Sequence, residues 1–346
     1  MASVTLDGAT KRFGAVTALD AVDLAVEDGE FFVILGPSGA GKTTSLRLVA
    51  GLEKPDAGRV RMDGADVTGR HPADRDVAFV FQQYSLYPHL SVRDNIAFPL
   101  RAPGRRLPEA EVARRVGEVA ALLHIEAKLD RPSTRLSGGE MQRVAIGRAL
   151  VRQPRAFLMD EPLSSLDAKL REELRVELRR IQRRMGATIL YVTHDQVEAL
   201  TLADRIAVLD GGRVRQVGTA EEVYDDPRTL DVARRLGTPP INVVPPDWLA
   251  EASGGPPAAL PAAVAHVAIR PEDVLCRLDH AVPGTVPCTV VESSLLNGSL
   301  VAERRGVELR VVLPMDRSPP PGSVIHVGFP PDRSRFFDAR GHRLAS

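Results

Sequence analysis

A chain of 346 residues exceeds one typical domain, so two and possibly three are expected, each large enough to bury its own core. Its 45 basic residues balance 45 acidic ones, which excludes a global field that would recruit nucleic acid or anionic lipid and leaves binding to local sites. The opening MASVTLDGATKR lacks the apolar core of a secretion signal and no apolar run approaches the roughly 18 residues of a spanning helix. Cys276 and Cys288 sit in no C-x-x-C pattern, so the expected setting is inside the cell, with reduced thiols and membrane contact only through a partner.

In chain order, buried strands are predicted at EFFVILG (30–36), RAFLMDEP (155–162), ATILYVTHD (187–195) and DRIAVLDGG (204–212). Between them TSLRLVAGL, EAEVARRVGEVAALLHI, EMQRVAIGRALVRQ and AKLREELRVELRRIQRRM place apolar residues three and four apart, the spacing of helices with one buried face. This alternation is the pattern of an α/β domain with a largely parallel sheet, expected over residues 1–236. Beyond it the composition changes, with 16 of the 27 prolines in the last 110 residues. Short strands such as CTVVES, SLVAER and VELRVVLP alternate there with NG and PPPG turn signals, which predicts a small all-β domain over 237–346. EASGGPPAALPAA (251–263) reads as a loop, and no repeat recurs at a solenoid period.

Directly behind the apolar run FFVIL, GPSGAGKT fits the G-x-x-x-x-G-K-S/T phosphate loop in its required place between a strand and a helix. Gly36, Pro37, Ser38, Gly39, Ala40 and Gly41 would curl successive backbone N–H groups around phosphate oxygens. A helix beginning near Thr43, with Thr44 beside it, points its positive end at the same anion. Lys42 is placed to reach the β and γ phosphates, and the Thr43 hydroxyl to ligate magnesium, so ATP and Mg2+ are the expected ligands. The competing reading is a plain glycine-rich turn.

RAFLMDEP delivers Asp160 and Glu161 to the carboxyl edge of the sheet, where ligands bind in α/β folds. Asp160 would hold the magnesium shell and Glu161 would orient the attacking water or take its proton; a pair of helix-capping acids is the alternative. In RLSGGEMQRVAIGRAL, Ser137 and Glu140 spell a capping box, yet the first two helical positions are Gly138 and Gly139. Each glycine costs about 1 kcal/mol against alanine in a helix. The pair therefore points to a second anion site built from bare amides and the Ser137 hydroxyl.

Together the phosphate loop, LSGGE followed by QRVAIGRAL, LMDEP, SSLD and a strand ending in TH resemble the nucleotide-binding subunits of ABC transporters. The resemblance implies a P-loop NTPase fold with an inserted helical subdomain at roughly 84–153, followed by an OB-like domain. It also implies that two subunits close head to tail, with Ser137, Gly138 and Gly139 of one capping the γ-phosphate held by the other. Gln82 in VFQQYSLYPHL would ligate magnesium and sense the γ-phosphate, and His194 in YVTHD would hold the γ-phosphate and the attacking water. Asp167 in SSLDAKLR would lie on the loop that crosses the interface, and Phe13 would stack on adenine. Many members have glutamine where Glu140 stands and tyrosine where Phe13 stands, substitutions that keep the cap and the ring face.

The segment YSLYPHLSVRDNIAF, rich in aromatic and aliphatic residues, reads as a partner surface or as internal packing of the helical subdomain. The resemblance favours the former, with Tyr84, Leu86, Tyr87, Pro88 and His89 receiving a helix of a membrane permease. The tail, with QVGTAEEVYDDPRTLDVARRLGTPPINVV, IRPEDV and FFDARGHRL, resembles the ATPases of sugar importers of the maltose and glycerol-phosphate type. Implied partners are a second copy or a sibling ATPase, two permease subunits and, indirectly, an extracytoplasmic solute-binding protein, with the chain peripheral on the cytoplasmic face of the cell membrane. The implied solute is a carbohydrate or polyol. Polyamine or iron import shares the same tail, and a soluble regulatory ATPase is the reading from another class. No coiled coil of the repair type interrupts the cassette, and the C-terminal region lacks the aromatic-and-basic face that oligonucleotide binding needs.

Overall fold

The computed structural model describes every residue except 103–106, 249–262, 279–280, 295–297, 315–316, 318 and 345–346. The predicted loop at 251–263 lies outside the described residues apart from Ala263, as does Asn297 of the NG turn. The chain forms two compact units, Met1–Ala220 and Glu221–Ser346.

In the first unit the elements are β1 (Val4–Phe13), β2 (Val16–Val26), β3 (Phe31–Leu35), α1 (Lys42–Ala50), β4 (Ala57–Met62), β5 (Ala65–Asp66), β6 (Val77–Val80) and α2 (Val92–Ala97). They continue with α3 (Glu109–Leu122), α4 (Gly138–Leu150), β7 (Ala156–Asp160), α5 (Ala168–Met185), β8 (Ile189–Thr193), α6 (Gln196–Leu202), β9 (Arg205–Asp210) and β10 (Arg213–Thr219). Six strands form one sheet in the order β10-β9-β3-β8-β7-β6, parallel throughout except for β10 at its edge. Every residue of β3, β7 and β8 is buried. Unbroken apolar runs such as FFVIL suit a parallel sheet covered on both faces.

A second, antiparallel sheet in the order β2-β1-β4-β5 was not among the predicted elements. Its two long strands slip register at Leu6/Ala9, Ala9/Lys11 and Lys11/Arg12. Such bulges break the strict alternation by which a half-buried strand is read. Val4, Leu6, Val22 and Leu24 of this sheet share one apolar cluster with Phe32, Ile34, Leu158 and Val192 of the parallel sheet and with Leu46 and Val49 of α1. Arg75, 1% exposed, fastens the far end of α1 by donating to the carbonyls of Leu48 (2.7 Å) and Val49 (2.9 Å) and to that of Thr68 (3.0 Å). A cation at a helix C-terminus satisfies carbonyls that the helix leaves open.

The second unit contains the rest of α7 (Ala220–Asp225), α8 (Leu230–Arg235), β11 (Asn242–Val244), β12 (His266–Ile269), β13 (Leu275–Arg277), β14 (Thr285–Ser294), β15 (Ser299–Arg304), β16 (Val307–Val312), β17 (Val324–Gly328) and β18 (Arg335–Phe337). An antiparallel sheet β13-β17-β14-β15-β16 and a smaller one, β11-β12-β18, form an OB-like region around a shared core that includes Trp248, Val267, Val290, Leu300, Val327 and Phe336. The unit begins before the change in composition at Gly237 because Arg270, just past β12, donates to the carbonyls of Tyr224 (2.7 Å), Ala233 (3.2 Å) and Leu236 and lies over the Tyr224 ring. That buried cation ties the two short helices to the β region.

Candidate functional site

The loop after β3 is shaped by close backbone approach. Gly41 adopts φ +102°, and a Cβ there would stand 2.4 Å from the Ala18 carbonyl oxygen, so only glycine fits. The Lys42 side chain folds back over the loop, donating from Nζ to the carbonyls of Gly36 (3.0 Å) and Pro37 (3.1 Å). Pro37 is half-buried, Ser38 and Gly39 are exposed, Ala40 is buried, and Thr43 and Thr44 are half-buried at the start of α1. The open face of the loop is its middle.

The ends of β7 and β8 meet this loop. The Thr43 hydroxyl donates to Asp160 Oδ1 at the end of β7 (2.9 Å). Glu161 Oε1 lies 3.3 Å from Lys42 Nζ, and its Oε2 lies 2.8 Å from Nδ1 of His194, one residue past β8. The end of β8 organises both sides, since the Val192 carbonyl accepts the Glu161 N–H (3.0 Å) and the Thr193 carbonyl accepts that of Gly36 (3.4 Å). Residues 42, 161 and 194, distant in the chain, meet because β3, β8 and β7 are sheet neighbours.

Two features mark the cluster as chemically loaded. Burial, reinforced by the adjacent Glu161 charge, pushes Asp160 above the ordinary aspartate range against the Thr43 hydrogen bond. Glu161 sits at φ +44°, a left-handed conformation that costs a non-glycine residue about 1–2 kcal/mol. The Ser164 hydroxyl holds it there by donating to its carbonyl (2.8 Å).

The other sequence-predicted residues stand apart from this cluster. Gln82, past the end of β6, is exposed and has no hydrogen bond to the Lys42, Asp160 and Glu161 side chains. Phe13 closes the β1–β2 hairpin with its ring 46% exposed and the Lys11 ammonium 5.1 Å from its centroid. Ser137 caps α4 in the predicted capping box: its Oγ accepts the Glu140 N–H and Glu140 accepts the Ser137 N–H. A Cβ on Gly139 would stand 2.1 Å from Leu170 Cδ2 and so displace the end of that side chain, while one on Gly138 would meet the Tyr84 hydroxyl at 3.1 Å. Asp167 caps α5 by accepting the Leu170 N–H (3.0 Å).

The segment Tyr84–His89 is pinned from one side. The Tyr84 hydroxyl meets Ser165 Oγ (3.0 Å), Asn95 Nδ2 and the Ser133 hydroxyl donate to the Tyr87 carbonyl, and Arg148 donates to the carbonyls of Ser85 and Tyr84. The Tyr87 ring packs on Phe98 at 4.4 Å, while Phe98 and Phe81 remain 46% and 42% exposed. The backbone of the segment is thus packed within the chain, with exposed apolar rings at Phe81 and Phe98 beside it.

Sequence reasoning missed Thr193 and Asp195, which flank His194, and Glu198 and Arg171, which bond to them. Their only signal was the position of Glu198 on the same face of QVEALTL as Leu202, which reads as an ordinary amphipathic helix.

The ABC transporter family profile matches residues 19–164. Over its full length the chain is 45% identical to the full-length sn-glycerol-3-phosphate import ATP-binding protein UgpC of Ruegeria pomeroyi. It is 52% identical, over 80% of this chain and 78% of the relative, to UgpC 3 of Rhizobium johnstonii. Among solved structures, the dimeric ATP-binding cassette MJ0796 in a post-hydrolysis state bound to ADP and Pi is similar at a TM-score of 0.57 and 34% identity, covering 63% of this chain and 98% of that one. The cassette cbiO1 of Clostridium perfringens, part of an ABC transporter complex, matches at a TM-score of 0.59 and 30% identity, covering 64% and 89%. With the phosphate loop, the Asp160-Glu161 pair and His194 gathered at one sheet edge, the chain belongs to the ATP-binding subunits of ABC transporters, ATPases whose hydrolysis is coupled to solute import.

Proposed function

We propose that this chain hydrolyses magnesium ATP where the phosphate loop meets the ends of β7 and β8, and that hydrolysis powers uptake of sn-glycerol-3-phosphate or a related polyol or carbohydrate. The observation that carries the chemistry is the Glu161 carboxylate, with one oxygen beside Lys42 at 3.3 Å and the other beside His194 at 2.8 Å. Glu161 would orient the attacking water and take its proton, while Lys42 balances charge on the β and γ phosphates and His194 holds the γ-phosphate. Thr43, Asp160 and Gln82 would hold magnesium; their hard oxygen donors fit that ion, which keeps phosphate oxygens and waters as its other ligands. When bound, magnesium neutralises charge on the phosphates.

Phe13, with its ring exposed, would stack on adenine. Ser137, Gly138, Gly139 and Asp167 make none of the cluster's contacts, which supports their service to the nucleotide of a second copy or sibling subunit. No helix among the described residues is long and apolar enough to cross a membrane. The chain would sit on the cytoplasmic face of the inner membrane through two permease subunits docked at Tyr84–His89, fed by an extracytoplasmic binding protein. The solute assignment rests on the names of relatives that match this chain from end to end.

Glu161→Gln tests the chemistry. The purified variant should bind ATP, elute as a dimer and turn over at least about 100-fold more slowly, the size of a general-base effect. Normal turnover would remove Glu161 from this role.

A further inference from the structure

Glu198, on α6, is 2% exposed, yet it is a carboxylate. Burying such a group is costly unless it is hydrogen-bonded, and a neutral side chain would fill the same space at lower cost. Its Oε2 accepts two hydroxyl protons, from Tyr191 at 2.8 Å and from Thr193 at 2.7 Å. Two hydroxyl hydrogen bonds converge on that one oxygen, so the carboxyl group anchors the end of β8.

Thr193 passes that constraint on. Its Oγ1 accepts the Asp195 N–H at 2.9 Å, closing a turn with His194 at its apex. Asp195 is held beyond the turn, accepting the Val197 N–H at 2.8 Å and facing Arg171 at 3.4 Å. Arg171 Nη2 in turn donates to the Leu166 carbonyl at 2.9 Å, in the loop between Glu161 and Asp167. The His194 side chain itself is 55% exposed and reaches Glu161 through Nδ1. Its place is therefore set by the turn beneath it.

We propose that Glu198 and Thr193 are positioning residues for His194, with the Glu198 carboxylate locking the Thr193 hydroxyl and the hydroxyl locking the 193–195 turn. This rests on the reading that His194 serves ATP hydrolysis. Neither residue touches the nucleotide; both act by keeping the imidazole against Glu161.

The test compares Thr193→Val, Thr193→Ser, Glu198→Gln and His194→Ala in the purified full-length chain, measuring ATP turnover and the Kd of a fluorescent ATP analogue. Misplacing a reacting group by about an ångström can cost on the order of 100-fold, so a loosened turn should lower kcat about 10-fold or more. Thr193→Val should show that loss with Kd unchanged, Glu198→Gln should shift the same way, and Thr193→Ser, which restores the hydroxyl, should stay within about twofold of the parent. Rescue by serine at unchanged affinity is not what a loss of packing would produce. Parent-level kcat in both Thr193→Val and Glu198→Gln, with His194→Ala inactive, overturns the inference alone. An equal loss in Thr193→Ser and Thr193→Val also overturns it. Parent-level turnover in His194→Ala removes the underlying role of His194 and the inference with it.

Discussion

Asp160, proposed as a magnesium ligand, carries a buried carboxyl at a cost to the fold. It takes up a proton more readily in the folded chain than in the unfolded one, so it favours folding below the ordinary aspartate value of 3.8 and loses that contribution as pH rises through its folded pKa. Asp160→Asn keeps an oxygen for the Thr43 hydroxyl and removes the buried charge. Its Tm should exceed that of the parent at about pH 8, with the gap narrowing as the solution is acidified, while ATP hydrolysis is lost. A variant less stable than the parent at every pH would contradict this account. The phosphate loop, Asp160 and Glu161 could be named from the sequence, because each sits in a short motif whose residue types follow from phosphate chemistry, whereas His194 was named only through the family resemblance. The 2.8 Å contact between His194 and Glu161 could not, since it depends on which strand lies beside which.

At the scale of elements, β3, β7, β8 and β9 and the longer helices of the parallel layer were legible because buried runs and three-to-four spacing are strong local signals, while the edge strands β6 and β10 and the short helix α6 were not predicted. The antiparallel sheet was not, because its bulges at Ala9 and Lys11 hide the alternation. Gly139 was legible as an anomaly but incompletely as to cause, since its close neighbour within the chain is Leu170, far off in sequence. The Arg75 anchor of α1 was invisible too, because an arginine reads as surface until its four helix and loop carbonyls, those of Leu48, Val49, Thr68 and Arg70, are known. Arg75→Met should strand those acceptors and lower stability by about 3 kcal/mol or more, read as a fall in the Tm of the first unit. Arg75→Lys, which can reach fewer carbonyls, should recover only part of the loss.

The whole molecule has two compact units, and heat should reveal them separately. In calorimetry of Glu161→Gln, ATP at about 100 times its Kd should stabilise the unit holding the phosphate loop by about 2.7 kcal/mol, so the transition assigned to residues 1–220 should move most. A larger shift in the transition of residues 221–346 would contradict that placement. Burial raises the thiol of Cys276 to about 11 and that of Cys288 to about 12. Both should therefore stay protonated and resist alkylation at about pH 8 until the second unit unfolds. Purification from detergent-solubilised membranes should recover two multispanning proteins in matching amounts; soluble companions alone would favour a regulatory ATPase.

The carbonyls at the end of β8 hold the amides of both Gly36 and Glu161. In hydrogen exchange these two amides should therefore behave as one unit, with matching protection and a shared response to denaturant. A single fraying event at that strand end would release the start of the phosphate loop and the acidic pair together, so the two halves of the site should open and close as one.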